Sequence, residues 1–298
     1  MFEDKTKLLE EYRSKVSIVI EQIMRNNKSK NDRAKAVNGE TKNVKDALTT
    51  ALLRKSNAEK WGKERILNAI LLVSYTANVV MLESRNEVWE YEYMAFARRI
   101  GELWEPFCKV AFEFPIKNLT LIQPKRFADV QGRLQASTKE YIEKLEVDTR
   151  TKQQLEFFYR IPWNMVDSGN IKLDLDLHFN QDGINYNCDF KSGFSSNEKG
   201  NTNRLLLVAS IYKQLAKNEQ TILFVRQNED DNNHYLQTLK NSGNWEVYCA
   251  DEAYEKINEF TGFDYREWLN GNATWLDDFK PEFRKHLKDN DLSKYLTW

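Results

Sequence analysis

The chain changes its hydrophobic period near its middle, and that change limits the fold more than any other feature. Early on, Leu8, Leu9, Tyr12, Val16, Ile20 and Ile23 recur at three- and four-residue steps, the spacing of a helix with one buried face. From Lys172 to Phe179 polar and apolar residues alternate strictly, Asn180-Gln-Asp-Gly183 is a turn signal, and Ile184 to Lys191 alternates again. Two alternating runs about an Asp-Gly pair predict a β-hairpin.

The same reasoning predicts helices over residues 4–24, 44–55, 57–82, 87–112, 127–146 and 149–160, with Gly101 and Pro106 interrupting the fourth. The polar, Asn- and Lys-rich stretch 26–43 reads as a loop. After the hairpin come a helix over 203–216, a buried strand over 221–226, a short helix at 236–239, a strand over 245–249 and a helix over 254–260. The outcome is a mixed α/β (α+β) protein. A helical N-terminal region, residues 1–85, precedes a sheet-containing domain over 86–298 with a helical insertion around 124–163.

Composition agrees with a well-cored globular chain. Among 298 residues there are 16 Phe, 13 Tyr and 8 Trp against 11 Gly and 5 Pro, which excludes disorder and low-complexity architectures. Cys108, Cys188 and Cys249 are far apart, and no Cys-x-x-Cys occurs. A disulfide scaffold or zinc finger is thereby excluded, and a reducing, cytoplasmic setting is the expectation. No signal peptide is visible at the N-terminus. The apolar run 66–82 carries Asn68, Ser74, Thr76 and Asn78 and reads as a core helix; no membrane partner is expected.

In the hairpin, Leu173, Leu175, Leu177 and Phe179 fall on one face of the first strand and Asp174, Asp176 and His178 on the other. The second strand likewise separates Ile184, Tyr186, Cys188 and Phe190 from Asn185, Asn187, Asp189 and Lys191. A two-residue Asp182-Gly183 turn sets Asp176 opposite Asp189 and Asp174 opposite Lys191, whereas a four-residue turn sets Asp174 opposite Asp189. Both registers bring like charges together, at a cost unless something compensates. A divalent cation is the natural compensation, and this density of hard oxygen ligands suits Mg²⁺, with Lys191 beside it to hold or activate a water. A solvated polar face is the plain alternative. Asp is disfavoured in strands, however, and three occur in one hairpin. His178, beside Asp176, reads as a neutral, hydrogen-bonded side chain.

Asp176, a spacer of twelve residues and Asp189-Phe190-Lys191 resemble the bipartite motif of the PD-(D/E)xK nuclease superfamily, the fold of most type II restriction endonucleases. The usual Pro is absent, since Leu175 precedes Asp176 and Leu173 precedes Asp174. Which of the two Asp is the ligand therefore stays open. That superfamily usually carries an acid on its first core helix. Here Glu105 fills that place, with Glu102 second. The resemblance implies a restriction-endonuclease-like core, a mixed central sheet flanked by helices. It also implies Mg²⁺-dependent hydrolysis of phosphodiester bonds. Asp176 (or Asp174), Asp189 and Glu105 would hold the metal and Lys191 would position or deprotonate the attacking water. In the polar segment after Lys191, Asn197, Lys199, Asn201, Asn203 and Arg204 are of the types that contact base edges and phosphates.

The net charge is −1, yet residues 25–65 carry twelve basic against five acidic side chains, a local excess of +7 that could clamp a duplex. No nucleotide cofactor is expected, for neither a Walker A nor a Gly-x-Gly-x-x-Gly motif is present. These features lead to the expectation of a sequence-specific, double-strand DNA endonuclease acting as a homodimer, whose two-fold symmetry would match a palindromic site. A structure-specific repair nuclease and a non-catalytic helical DNA- or protein-binding module are the competing readings.

Overall fold

The computed structural model describes residues 1–25, 29–165, 171–195, 198–215 and 218–298. Among these residues the elements are a five-stranded sheet and twelve α-helices. Four helices come first: α1 (Lys5–Arg25), α2 (Lys30–Ala58), α3 (Lys63–Val88) and α4 (Tyr93–Glu113). The short strand β1 (Thr120–Leu121) is separated from β2 (Leu177–Gln181) by α5 (Phe127–Lys144) and α6 (Thr149–Met165), so the helical insertion lies between two strands of one sheet. There follow β3 (Ile184–Lys191), α7 (Lys199–Leu215), β4 (Glu219–Val225), α8 (His234–Asn241), β5 (Glu246–Cys249) and α9 (Asp251–Thr261). Helices α10 (Tyr265–Asn272), α11 (Trp275–Asp278) and α12 (Pro281–Asp289) complete the chain.

The strands lie in sequence order, β1 to β5. The first three pair antiparallel, whereas β4 pairs parallel to β3 and β5 parallel to β4. The parallel connections place helices against the sheet, and both faces are buried. Leu177, Phe179, Cys188, Phe190, Ile222 and Phe224 enter one apolar core shared with α1 to α4 and the C-terminal helices. Leu223 and Val225 point the other way, into a smaller core formed with α5, α7 and α8. The boundary expected at residue 85 falls inside α3, and the larger core runs across it. The apolar face of α3 is spent on that core: its most hydrophobic window is 83% buried.

Two helical expectations need correction. Residues 30–43 belong to α2 and are not a loop. Ser29 caps the helix, its hydroxyl accepting from the Asp32 amide at 3.2 Å, and Ala34, Val37, Thr41, Leu48 and Leu52 form one narrow buried stripe. The polar majority concealed that stripe. Helix α4, for its part, runs unbroken through Gly101 and Pro106, because Phe96, Ile100, Trp104, Phe107, Cys108 and Val110 bury along one side.

Gly39 sits within α2 with open space around the position of an added Cβ. Gly39→Ala should therefore raise the free energy of unfolding by about 1 kcal/mol in a urea titration. An unchanged or lowered midpoint would place this stretch outside a helix.

Candidate active site

The turn fixes the register. Asp182 and Gly183 both have positive φ, 52° and 81°, and Gln181 pairs with Ile184 across a two-residue turn. Pairing continues through Leu177 and Cys188 and then stops. The first strand is therefore shorter than its alternation predicts, since residues 172–176 leave the ladder just where Asp176 would come to lie opposite Asp189. Side chains take over the backbone bonds there. Asp176 Oδ2 accepts from the Phe190 amide at 2.8 Å, His178 Nε2 accepts from the Leu175 amide at 2.9 Å, and the Tyr212 hydroxyl donates to the Leu173 carbonyl at 3.0 Å. The bend splits the predicted apolar face. Leu177 and Phe179 stay with the larger core while Leu173 and Leu175 turn into the smaller one.

Like-charge repulsion explains why the ladder ends here. Asp189 has 0% exposure, and its carboxylate is held by two cations: Lys191 Nζ pairs with Oδ1, and Arg204 Nη2 lies 3.2 Å from Oδ2. Helix α7 reaches over this face through Arg204, so Asp189 is enclosed while Asp176 stays half-exposed. Burial pushes the Asp189 carboxyl above the usual range, Lys191 and Arg204 oppose that rise, and Asp176 adds to it. Lys191 stands directly against Oδ1 and Arg204 against Oδ2, so each carboxylate oxygen faces a cation.

Glu105 reaches the same point from α4. Burial first, and then the charge of Asp176, raise its carboxyl above the ordinary value, while Lys109 and Lys191 pull it down. Lys109 Nζ lies 3.3 Å from Glu105 Oε1. Glu102 instead faces outward and pairs with Arg98 and Arg99. Helix α4 comes this close because Gly101 abuts the end of β3: a Cβ on Gly101 would lie 2.4 Å from Ser192 Oγ.

The structure thus brings Glu105, Asp176, Asp189 and Lys191 together and leaves Asp174 exposed, its charge felt at His178 and Tyr212. His178 is buried and neutral in role. Its Nε2 accepts, its Nδ1 faces Asn187 Oδ1 at 2.8 Å, and burial lowers its pKa. Asn187 passes this network to the buried Glu219, which pairs with Lys125. Nothing in the periodicity marked Glu219 as a polar anchor, because it precedes an apolar strand.

The expected recognition segment is redistributed. Helix α7 begins earlier than expected, so Lys199 and Asn201 lie in its first turns with Asn203 and Arg204 and not in a preceding loop. Lys199 and Asn203 are exposed, Asn201 donates to Glu198 at 2.9 Å, and Arg204 is committed to Asp189. Asn197 lies outside the described residues.

No protein family, curated protein or solved structure matches this chain. The chemistry of the site must therefore be judged from its own atoms. Among the described residues no three His, Cys, Asp or Glu side chains form a ready-made metal cluster. Mg²⁺ needs less, since it is commonly held by one or two carboxylates with waters and phosphate oxygens completing the shell. A buried carboxylate beside a half-exposed second acid at a strand break fits that requirement.

Gly101→Ala should force α4 away from Ser192 and cost about 1–3 kcal/mol in unfolding free energy. Adding Ser192→Gly should restore most of it. A double variant no more stable than Gly101→Ala alone would show that this contact does not set the position of α4.

Proposed function

We propose that this protein is a Mg²⁺-dependent endonuclease that hydrolyses phosphodiester bonds of double-stranded DNA, in the manner of a type II restriction enzyme. The observation that carries the reading is the convergence of Glu105, Asp176, Asp189 and Lys191 at the point where β2 leaves β3. The connection from β3 through α7 to the parallel strand β4 supports it, because this is the element order expected of a PD-(D/E)xK-like core.

Asp176 and Asp189 would hold the metal, with Glu105 binding its outer waters. Mg²⁺ supplies charge against the scissile phosphate and a water of lowered pKa. Lys191 would orient the attacking water and offset charge on the phosphate oxygens as the new P–O bond forms and the bridging P–O bond breaks. Arg204 opposes the rise that burial imposes on the Asp189 carboxyl and fixes its position, which makes it a positioning residue. Cutting both strands at a palindromic sequence would require two copies of the chain, related by a two-fold axis. Exposed Lys199 and Asn203, at the start of α7, are placed to meet the duplex, and the basic α2 region would add contacts to its backbone.

Purified protein incubated with phage-length linear DNA and Mg²⁺ should give discrete fragments. Lys191→Ala and Asp176→Asn should each lower the cleavage rate by at least roughly a hundredfold while duplex binding persists, and EDTA should abolish cleavage. Asp174→Asn should stay within a few-fold of the parent rate. A Mg²⁺-dependent smear would point to a structure-specific repair nuclease. Uncut DNA across several genomes would leave a binding module whose hairpin is structural.

A further inference from the structure

Just beyond the carboxylate cluster lies an open groove of about 920 Å³, with Ser192, Arg226, Arg266, Lys294, Tyr93 and Tyr295 among its walls. Its volume lies within the range of ordinary ligand sites. The parallel pairing of β3 and β4 extends into it: the Arg226 amide donates to the Lys191 carbonyl at 2.9 Å and the Gln227 amide to the Ser192 carbonyl at 3.3 Å. Arg226 is thereby fixed beside Ser192, the residue that follows Lys191.

The charges of the groove are not equally spent. Arg266 is paired with Asp251 and Lys294 with Asp291. Arg226 has no carboxylate partner among the described residues. Its guanidinium donates to Ser192 Oγ at 3.1 and 3.0 Å and to the Thr297 hydroxyl at 3.0 Å and carbonyl at 2.5 Å, all of them neutral. Burial disfavours its charged form. A largely desolvated cation held by neutral acceptors is costly in the free protein and favourable once an anion reaches it. Tyr93 and Tyr295, with ring centroids 5.2 Å apart, add an aromatic wall of the kind on which a nucleobase stacks.

We propose that this groove is the subsite for a backbone phosphate of the cut strand, next to the scissile one, and that Arg226 receives it. The proposal rests on the nuclease reading for the identity of the strand. Strand β3 then serves both halves of the site, with Asp189 and Lys191 on the reacting phosphate and the Ser192–Arg226 pair on its neighbour. Asp231 and Asp251 also border the groove, Asp251 in an ion pair with Arg266.

The test uses the full chain in EDTA with a fluorescein-labelled duplex, titrated at several salt concentrations. Arg226→Gln should bind at least roughly tenfold more weakly and flatten the slope of log K against log salt by about 0.9, the loss of one phosphate contact. In parallel, inorganic phosphate at matched ionic strength should raise the unfolding midpoint of the parent but not of Arg226→Gln. Lys191-dependent cleavage together with an unchanged salt slope in Arg226→Gln overturns the subsite and leaves the nuclease standing. Phosphate stabilisation through Arg226 without DNA cleavage or binding overturns the strand as occupant while retaining an anion site. If Arg226→Gln does not fold by circular dichroism, single methylphosphonate substitutions are scanned along the duplex with the parent protein. One position beside the cut must then flatten the slope, and a uniform response overturns the proposal.

Discussion

A carboxylate removed from water at the end of a sheet keeps its charge only if cations stay with it, and Asp189 is such a group. Lys191, two residues along the same strand, and Arg204, from the first turns of α7, supply them. That requirement governs much of the local fold. It brings the N-terminal end of α7 across the sheet, and it leaves no room for a second acid directly opposite. The ladder between β2 and β3 therefore stops at Leu177 and Cys188. Asp176 turns aside to accept the Phe190 amide, so the backbone donor a continuing strand would have satisfied is not left orphaned.

The break makes the site. A continuous hairpin would set Asp176 and Asp189 side by side on a closed surface, where α7 would bury both. With the strand peeled away, Asp176 stays half-exposed while Asp189 remains anchored beneath it. Helix α4 can then present Glu105 from the opposite layer, because Gly101 lets it approach Ser192. Two layers that share no apolar core on this side thus meet at one group of acids. The larger core supports them from below through Trp104, whose ring packs edge-on against Phe190 and whose indole N–H donates to the Tyr254 hydroxyl at 2.8 Å.

How much of this was legible depends on the range over which each feature is decided. The hairpin about Asp182-Gly183 is a local matter and was plain. The sequence left a two- or four-residue turn open, and the positive φ of both residues and the Gln181–Ile184 pair decide the register. The buried strand β4 was equally plain, because an uninterrupted apolar run suits a strand covered on both faces. The helical nature of residues 30–43 was not. There the decision lies with α1 and α3, which bury only a few side chains from a polar helix. The choice between Asp174 and Asp176 was hidden for a similar reason. Alternation assigns both to one face, and only the repulsion from Asp189, together with the bonds from Phe190, His178 and Tyr212, decides where the alternation ends. Arg204 shows the reverse case: its type suggested an outside partner, whereas the fold turns it inward.

The charges near the strand break explain why cations should matter to any phosphate ligand. Glu105, Asp176 and Asp189 are offset by Lys109, Lys191 and Arg204, and each of these cations already faces an acid or lies beside one. A phosphodiester brought to this cluster would meet carboxylates whose counter-charges are engaged, and the approach would be unfavourable without additional positive charge. If the protein is the metal-dependent nuclease proposed, a divalent ion held by Asp176 and Asp189 would supply that charge. It can also come from Arg226, which has no carboxylate partner among the described residues. Under the proposed function, the near-neutral balance of charge at the cluster would leave the added positive charge to such an ion and to Arg226.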